Sequence, residues 1–353
     1  MTVYFDNAAT TPPLLHFDND LLGNPSSPHG LGIATERKLD QARESIASIL
    51  GFAPGQLTFT SGATEANNLA LIGFAMANRR KNTIMMAEPW AHPSIIEPLK
   101  FIETQGLASI HIAPMDTWDL QQGDVRLAAI SHVNHETGDI INMIPKLPNT
   151  TVLVDGVQGF CKEATNLENA HMYTFSAHKL HGAGGVGGLL CRGTRLMPQV
   201  YGGGQENNLR SGTQNTWGIL QTANVINNLH SNMATNHGHV KSIRDYMAEL
   251  TTILPDCYVN GNHTSPYILN MSFIGVKGEV LVHMLSERGV YVSTGAACKS
   301  RKNVKTILEA MGYDKARAES AVRLSFSHLN TMVEAEYARN VIAECVTTLR
   351  RIL

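Results

Sequence analysis

Through its first two thirds the chain alternates short apolar runs with segments of helical periodicity, and few architectures accept that rhythm. "QLTFT" (56–60) reads as a strand, and "EANNLALIGFAMANRRK" (65–81) as an amphipathic helix with basic residues in its last turn. "TIMMAE", "SIIEPLKFIETQG", "ASIHIAP", "RLAAISHV" and "TVLVDG" continue the pattern, and "HMYTFS" and "GVGGLLCR" add two further strands. Such alternation implies an α/β architecture, a mostly parallel sheet covered by helices. Ligands of such sheets sit at the carboxyl ends of the strands. From about residue 215 the pattern changes, and a long helical stretch (about 214–253) leads into "YILNMSF", "EVLVHMLSERG", "YVSTGAAC", "VKTILEAMG", "VRLSFS" and a closing helix. This reads as a smaller α+β lobe. The expected division is a large domain over 11–234 and a small domain formed by 1–10 and 235–353.

Bulk properties exclude several classes. At 353 residues and 43% hydrophobic content the chain can bury a large core in two lobes. A formal net charge of −2 gives none of the basic excess that nucleic-acid binding needs. The longest apolar stretch, "LALIGFAMA" (69–77), is too short to span a bilayer, and "MTVYFDNAATTPP" has neither a basic flank nor a hydrophobic segment of a secretory signal. Cys161, Cys191, Cys257, Cys298 and Cys345 are scattered, odd in number and never spaced as CxxC, which suits free thiols in a reducing cytoplasm.

Four stretches carry chemistry. In "TFTSGATEANN" (58–68), Ser61, Gly62, Ala63 and Thr64 join a strand to a helix, where free N–H groups favour an anion; taken alone, an ordinary helix cap is the better reading. "TVLVDGVQG" ends an apolar strand in Asp155, either a turn cap or the partner of a cationic ring nitrogen, with Gln158 close behind. "SAHKLHGAGGVGG" (176–188) holds Lys179, either a solvated charge or a buried amine kept for covalent chemistry. Its Gly182, Gly184 and Gly187 match GxGxxG, but the apolar "GGLLCR" behind them is strand-like, so the glycines are read as slack around Lys179. "STGAACKSRKNVK" (293–305) sets Cys298 among small residues beside Lys299, Arg301 and Lys302, whose charges favour thiolate. His132 with His135, and His230 with His237 and His239, lack carboxylate or thiol partners at ligand spacing and read as hydrogen-bonded or solvated, so no metal is expected. A phosphate cup, a ring-nitrogen carboxylate and a Schiff-base lysine together describe a pyridoxal 5′-phosphate site.

"YFDNAATTP", "GNPSSPHG", "FTSGATEANNLA", "HVNHETG", "VDGVQ", "SAHKLHGAGGVG", "GGGQENNLRSGT", "STGAACKS" and "VRLSFS", in this order, resemble the successive motifs of the cysteine desulfurases, class V aminotransferase-type enzymes of pyridoxal-phosphate fold type I. The cysteine loop is similar to the branch with a flexible "SGSACTS"-type loop. The resemblance implies that Lys179 holds the cofactor, Asp155 binds its ring nitrogen and Gln158 its phenolic oxygen. His92, in "EPWAHPS", would stack on the ring and assist proton transfer. Ala63, Thr64, Ser176 and His178 would hold the phosphate, with Thr213 reaching in from a second subunit. Arg323 would bind the substrate carboxylate beside Asn24, and Cys298 would be the nucleophile. The implied reaction turns L-cysteine into L-alanine and passes sulfur, as a persulfide, to an acceptor protein or thiol. The implied protein is a cytoplasmic homodimer with no direct nucleic-acid or membrane partner.

The chain departs from the family pattern in places. The segments between "TTPP" and "GNPSS", before "RLAAISHV" and before "TVLVDG" are short, as is the tail after the closing helix. His135 stands where the family has asparagine, beside the implied carboxylate site. Alternatives on the same scaffold are a selenocysteine lyase or a small-amino-acid transaminase. From a different class, a trimmed, inactive homologue acting as a binding subunit would also fit the shortened helices.

Overall fold

The computed structural model describes residues 1–15, 21–118, 124–294 and 306–352. Strand β1 (Val3–Tyr4) is followed by helix α1 (Gly30–Ile49), β2 (Leu57–Thr60), α2 (Ala63–Ala77), β3 (Thr83–Ala87), α3 (Pro93–Thr104), β4 (Ser109–Ile112) and β5 (Asp124–Ser131). Next come β6 (Thr151–Asp155), β7 (Met172–Ser176), β8 (Gly187–Cys191), α4 (Thr216–Ser231), α5 (Met233–Ala248), α6 (Leu250–Ile253), β9 (Cys257–Asn260) and β10 (Ile268–Phe273). The chain closes with α7 (Gly278–Glu287), β11 (Val290–Tyr291), α8 (Ile307–Ala310), α9 (Lys315–Glu319), β12 (Ala321–Ser325) and α10 (Met332–Ile352). Two compact units result: one of 12–132 and 141–231, the other of 1–11, 133–140 and 232–353.

The first unit is built on a seven-stranded sheet of order β2-β8-β7-β6-β5-β3-β4. Neighbours pair in parallel except β8, which runs antiparallel to both β2 and β7. Each inner strand is apolar on both faces because helices cover both. In β6, Val152 and Val154 face a core shared with Leu39 and Ile46 of α1 and Ile226 of α4. The intervening Leu153 faces the opposite core with Leu69 and Phe74 of α2 and Leu99 of α3. That alternation of sides is the strand period expressed as packing. It brings the carboxyl ends of β5, β6 and β7 to one edge, with Ser131 opposite Asp155 and Asp155 opposite Thr174.

Two details differ from the sequence expectation. Helix α2 stops at Ala77, where the Asn78 N–H closes on the Phe74 carbonyl, so Arg79, Arg80 and Lys81 follow the helix rather than end it. Gly187 gives close approach rather than slack, since a Cβ there would lie 2.5 Å from the Cα of Gly62. The strap between β2 and α2 crosses directly over β8 only because that position has no side chain.

The second unit holds an antiparallel sheet of order β12-β10-β9 and a parallel pair of β1 with β11. Its core gathers Phe5, Met271, Phe273, Leu281, Leu285, Leu324, Phe326, Val341 and Cys345. The long helical stretch expected over 214–253 is three helices, α4, α5 and α6. No described helix is long and apolar enough to cross a membrane.

Candidate active site

In the first unit the site assembles where β6, β7, α2 and α3 meet. Asp155 ends β6 and is buried. Its Oδ1 accepts from the Val157 N–H at 3.1 Å, and its Oδ2 from Asn67 Nδ2 at 3.3 Å. Burial pushes this carboxyl above its usual range, while His92, the two hydrogen bonds and Lys179 pull it back. A carboxylate removed from water in this way favours a cation beside it.

Asn67 projects from α2 and is fully buried. Besides Asp155 it donates to Ser94 Oγ at 2.9 Å, and its Oδ1 accepts from Thr174 Oγ1 at 2.8 Å. Ser94 continues the chain to His92, the N-cap of α3: the Ser94 N–H donates to His92 Nδ1 at 3.1 Å and its Oγ lies 2.8 Å from the same nitrogen. Nδ1 is therefore an acceptor and the ring proton sits on Nε2. Desolvation lowers the imidazole's proton affinity, with Asp155 opposing and Lys179 reinforcing. His92, Ser94, Asn67, Asp155 and Thr174 thus form one continuous polar network.

Lys179 closes the short 3₁₀ turn Ala177–Lys179 that follows β7. His178 beside it is pulled down to about 4 by burial, then by Lys179 and Lys162. The buried Lys162 is pulled down to about 7, chiefly by burial and then by Lys179, against Cys161 and Glu163. These shifts place His178 and Lys162 within electrostatic reach of Lys179. Ser176 Oγ would lie 3.4 Å from a Cβ on Gly62, at the head of α2. That helix carries no side-chain cap, so its first-turn N–H groups are left for an outside acceptor, and Ala63 and Thr64 occupy that turn. Gln158 is buried behind Asp155, while Thr213 and Asn24 are exposed, Asn24 Oδ1 accepting from the Ser26 N–H at 3.0 Å.

The second unit carries Arg323 on β12, buried and opposite Asn270 of β10. Its Nη1 donates to the His135 carbonyl at 2.7 Å, and its Nη2 pairs with Asp6 Oδ1 at 3.2 Å. Its Nε is buried with no hydrogen-bond partner among the described residues.

Sequence reasoning missed Asn67, Ser94 and Thr174, which look like ordinary polar positions; only the fold brings them to Asp155. It also missed Glu88, a buried carboxyl just past β3 pushed up to about 7 by burial. Cys298, with Lys299, Arg301 and Lys302, lies outside the described residues. Burial pushes the thiols of Cys161 and Cys257 up to about 12 and that of Cys191 to about 11, so all three stay protonated at neutral pH. No group of three or more potential metal ligands occurs among the described residues.

The chain also matches known proteins over nearly its whole length. Residues 3–337 match the family model "Aminotransferase class-V". The cysteine desulfurase IscS 1 of Archaeoglobus fulgidus is 31% identical, covering 98% of this chain and 97% of its own. The cysteine desulfurase IscS of Dictyoglomus turgidum is 32% identical over 99% of this chain and 96% of its own. A solved structure of a NifS-like protein superposes with a TM-score of 0.87 at 31% identity, covering 99% of this chain and all of that one. With matches that span nearly its whole length, the chain belongs to the class-V aminotransferase family.

Proposed function

We infer that this protein is a cysteine desulfurase dependent on pyridoxal 5′-phosphate, converting L-cysteine to L-alanine and delivering the sulfur to an acceptor. The observation that carries this reading is the end-to-end match to cysteine desulfurases in a chain that links buried Asp155 and Asn67 to His92 in one network beside Lys179. The residues present fit the cofactor: a desolvated carboxylate suits a ring nitrogen, and the uncapped head of α2 with Ser176 and His178 suits a phosphate. When bound, pyridoxal phosphate supplies an electron sink for the substrate's α-carbon.

The chain's own residues do the rest. Lys179 Nζ holds the cofactor covalently and, once substrate displaces it, moves the α-proton. Asp155 stays ionised to keep the ring nitrogen cationic, and Gln158 contacts the phenolic oxygen. His92, with its proton on Nε2, would stack on the ring and assist proton transfer. Ala63, Thr64, Ser176 and His178 hold the phosphate, with Thr213 of a second copy completing the cup. Arg323 would bind the substrate carboxylate, a role the family resemblance also extends to Asn24 and His135. The Cys298 thiolate attacks the substrate sulfur: an S–S bond forms, the C–S bond breaks, and alanine leaves after its α-carbon system is reprotonated. The resulting persulfide passes to an acceptor protein or thiol that feeds iron–sulfur cluster assembly or thiolation.

We place the enzyme in the cytoplasm as a homodimer. An apolar groove of about 530 Å³ between α2 and α3, lined by Thr64, Ile72, His92, Pro98 and Phe101, supports a partner subunit at that face. The test of the reading is the visible absorption spectrum of protein loaded with pyridoxal phosphate, before and after cysteine, with alanine and sulfide measured in the presence of a reducing thiol. Equal amounts of both without any keto acid are expected. Alanine formed only when a keto acid is supplied would make the enzyme a transaminase.

A further inference from the structure

Beneath the turn that joins Asp155 to Gln158 lies a buried pair, His132 and Tyr173, that the reaction described above does not use. Both are fully buried. His132 follows β5 and its backbone N–H donates to the Asp155 carbonyl at 2.9 Å. Its Nδ1 lies 3.1 Å from the Tyr173 hydroxyl, which in turn donates to the Gly156 carbonyl at 3.4 Å. His132 and Tyr173 thus share one hydrogen bond, whose donor depends on the imidazole tautomer. Burial holds this imidazole neutral, down to about 4.

The shape of the turn is cut to fit the pair. A Cβ on Gly156 would lie 1.9 Å from Tyr173 Cζ, and one on Gly159 would lie 2.0 Å from His132 Nδ1. The two glycines therefore rest directly on the two rings. The Gly156 carbonyl also accepts from the N–H groups of Gly159 at 3.0 Å and Phe160 at 2.8 Å. Phe160 closes the seat, its ring edge-on to Tyr173 at 6.1 Å. Asp155 directly precedes Gly156 and Gln158 directly precedes Gly159, so whatever fixes the two glycines fixes the backbone that carries both side chains.

We propose that Tyr173 and His132 are positioning residues for the cofactor: seated on Gly156 and Gly159, they set the rotation of the 155–159 turn and so aim Asp155 at the ring nitrogen and Gln158 at the phenolic oxygen. This deepens the proposed function and rests on its cofactor reading. A merely structural pair would lower stability when altered and leave the bound cofactor's properties untouched.

The test is Tyr173→Phe, which keeps the ring on Gly156 and removes only the hydroxyl. Three quantities are measured: the melting temperature without cofactor, the equilibrium Kd for pyridoxal phosphate by quenching of protein fluorescence, and the visible absorption maximum of the loaded protein across pH. The expected result is a Kd raised about tenfold, the weight of one buried hydrogen bond, with a displaced visible maximum or pH midpoint. Ile46→Val, a buried change in α1 away from the turn, should lose comparable stability while keeping wild-type Kd and spectrum. Should Tyr173→Phe not fold, His132→Gln carries the same expectations. A variant that loses stability yet binds cofactor with wild-type Kd, maximum and pH midpoint would reduce the pair to packing and overturn the proposal. A wild-type protein that fails to bind pyridoxal phosphate would overturn the cofactor reading itself, and the proposal with it.

Discussion

Asn67 Nδ2 stands between Ser94 Oγ at 2.9 Å and Asp155 Oδ2 at 3.3 Å, so one amide ties the carboxylate at the end of β6 to the histidine that caps α3. With Thr174 donating to its other end at 2.8 Å, this side chain is held at both poles. Asn67→Ala should leave Asp155, Ser94 and Thr174 each short of a partner in a buried place. A loss of about 2–3 kcal/mol in denaturant unfolding is expected, with weaker binding of pyridoxal phosphate. Unchanged stability would show that water replaces the amide.

Glu206 organises the loop that carries Thr213. Its carboxylate takes both Arg43 nitrogens, at 2.8 and 2.9 Å, and the Phe59 N–H at 2.8 Å, and it is buried. Glu206→Ala would leave the Arg43 charge without its partner, a change that costs about 3–5 kcal/mol in such settings. Denaturant titration of the two proteins checks it.

The steric reading of Gly156 predicts compensation. Gly156→Ala alone drives a methyl into the Tyr173 ring and should cost about 3 kcal/mol. Adding Tyr173→Leu opens the space and should restore a large part of that loss, so the two changes are strongly non-additive in a double-mutant cycle. Additive losses would mean the backbone moves aside instead.

Lys162 gives a pH dependence with a definite sign. Its folded pKa of about 7 lies below its unfolded value. Between about 7 and the ordinary lysine range the unfolded chain holds a proton that the folded one lacks, so stability rises with pH across that window. Below about 7 both states are protonated and the slope from this group vanishes. Melting temperatures of cofactor-free protein at several pH values should therefore show a steeper rise toward alkaline pH for wild type than for Lys162→Met. Equal slopes would contradict the assignment.

His135→Asn keeps the carbonyl that Arg323 Nη1 grips and changes only the side chain beside it. The KM for cysteine should fall by about threefold, with the Kd for pyridoxal phosphate unchanged. A raised KM would show that the imidazole serves this chain's own substrate pose.

What was legible in the sequence was whatever local pattern fixes. The apolar runs of β2, β6 and β7 and the positions of Asp155 and Lys179 at strand ends could be read directly, because burial on both faces leaves a continuous apolar signature. The antiparallel direction of β8 could not, since "GGLLCR" is apolar whichever way it runs. Asn67 was invisible for another reason: within "TEANNLA" it looks like the wet side of a helix, and only the packing of α2 against β6 and β7 buries it. The seat of Gly156 and Gly159 on Tyr173 and His132 joins three separate stretches of chain, and no spacing rule connects them. The role of Gly187 is hidden too, because in sequence a glycine needed for close approach reads the same as one that gives slack.

In the proposed reaction sulfur leaves cysteine by way of Cys298, and the mass of the intact protein reads that step out. Wild-type protein loaded with pyridoxal phosphate and given cysteine without reductant should become heavier by one sulfur atom. That sulfur should map to Cys298, be removed by added thiol, and appear with an equal amount of alanine. Cys298→Ser should keep the spectral change on adding cysteine, gain no sulfur and release sulfide slower by about two orders of magnitude or more. A serine variant that releases sulfide at the wild-type rate, or a wild-type protein that makes alanine while its mass stays unchanged, would contradict the claim and point to direct elimination.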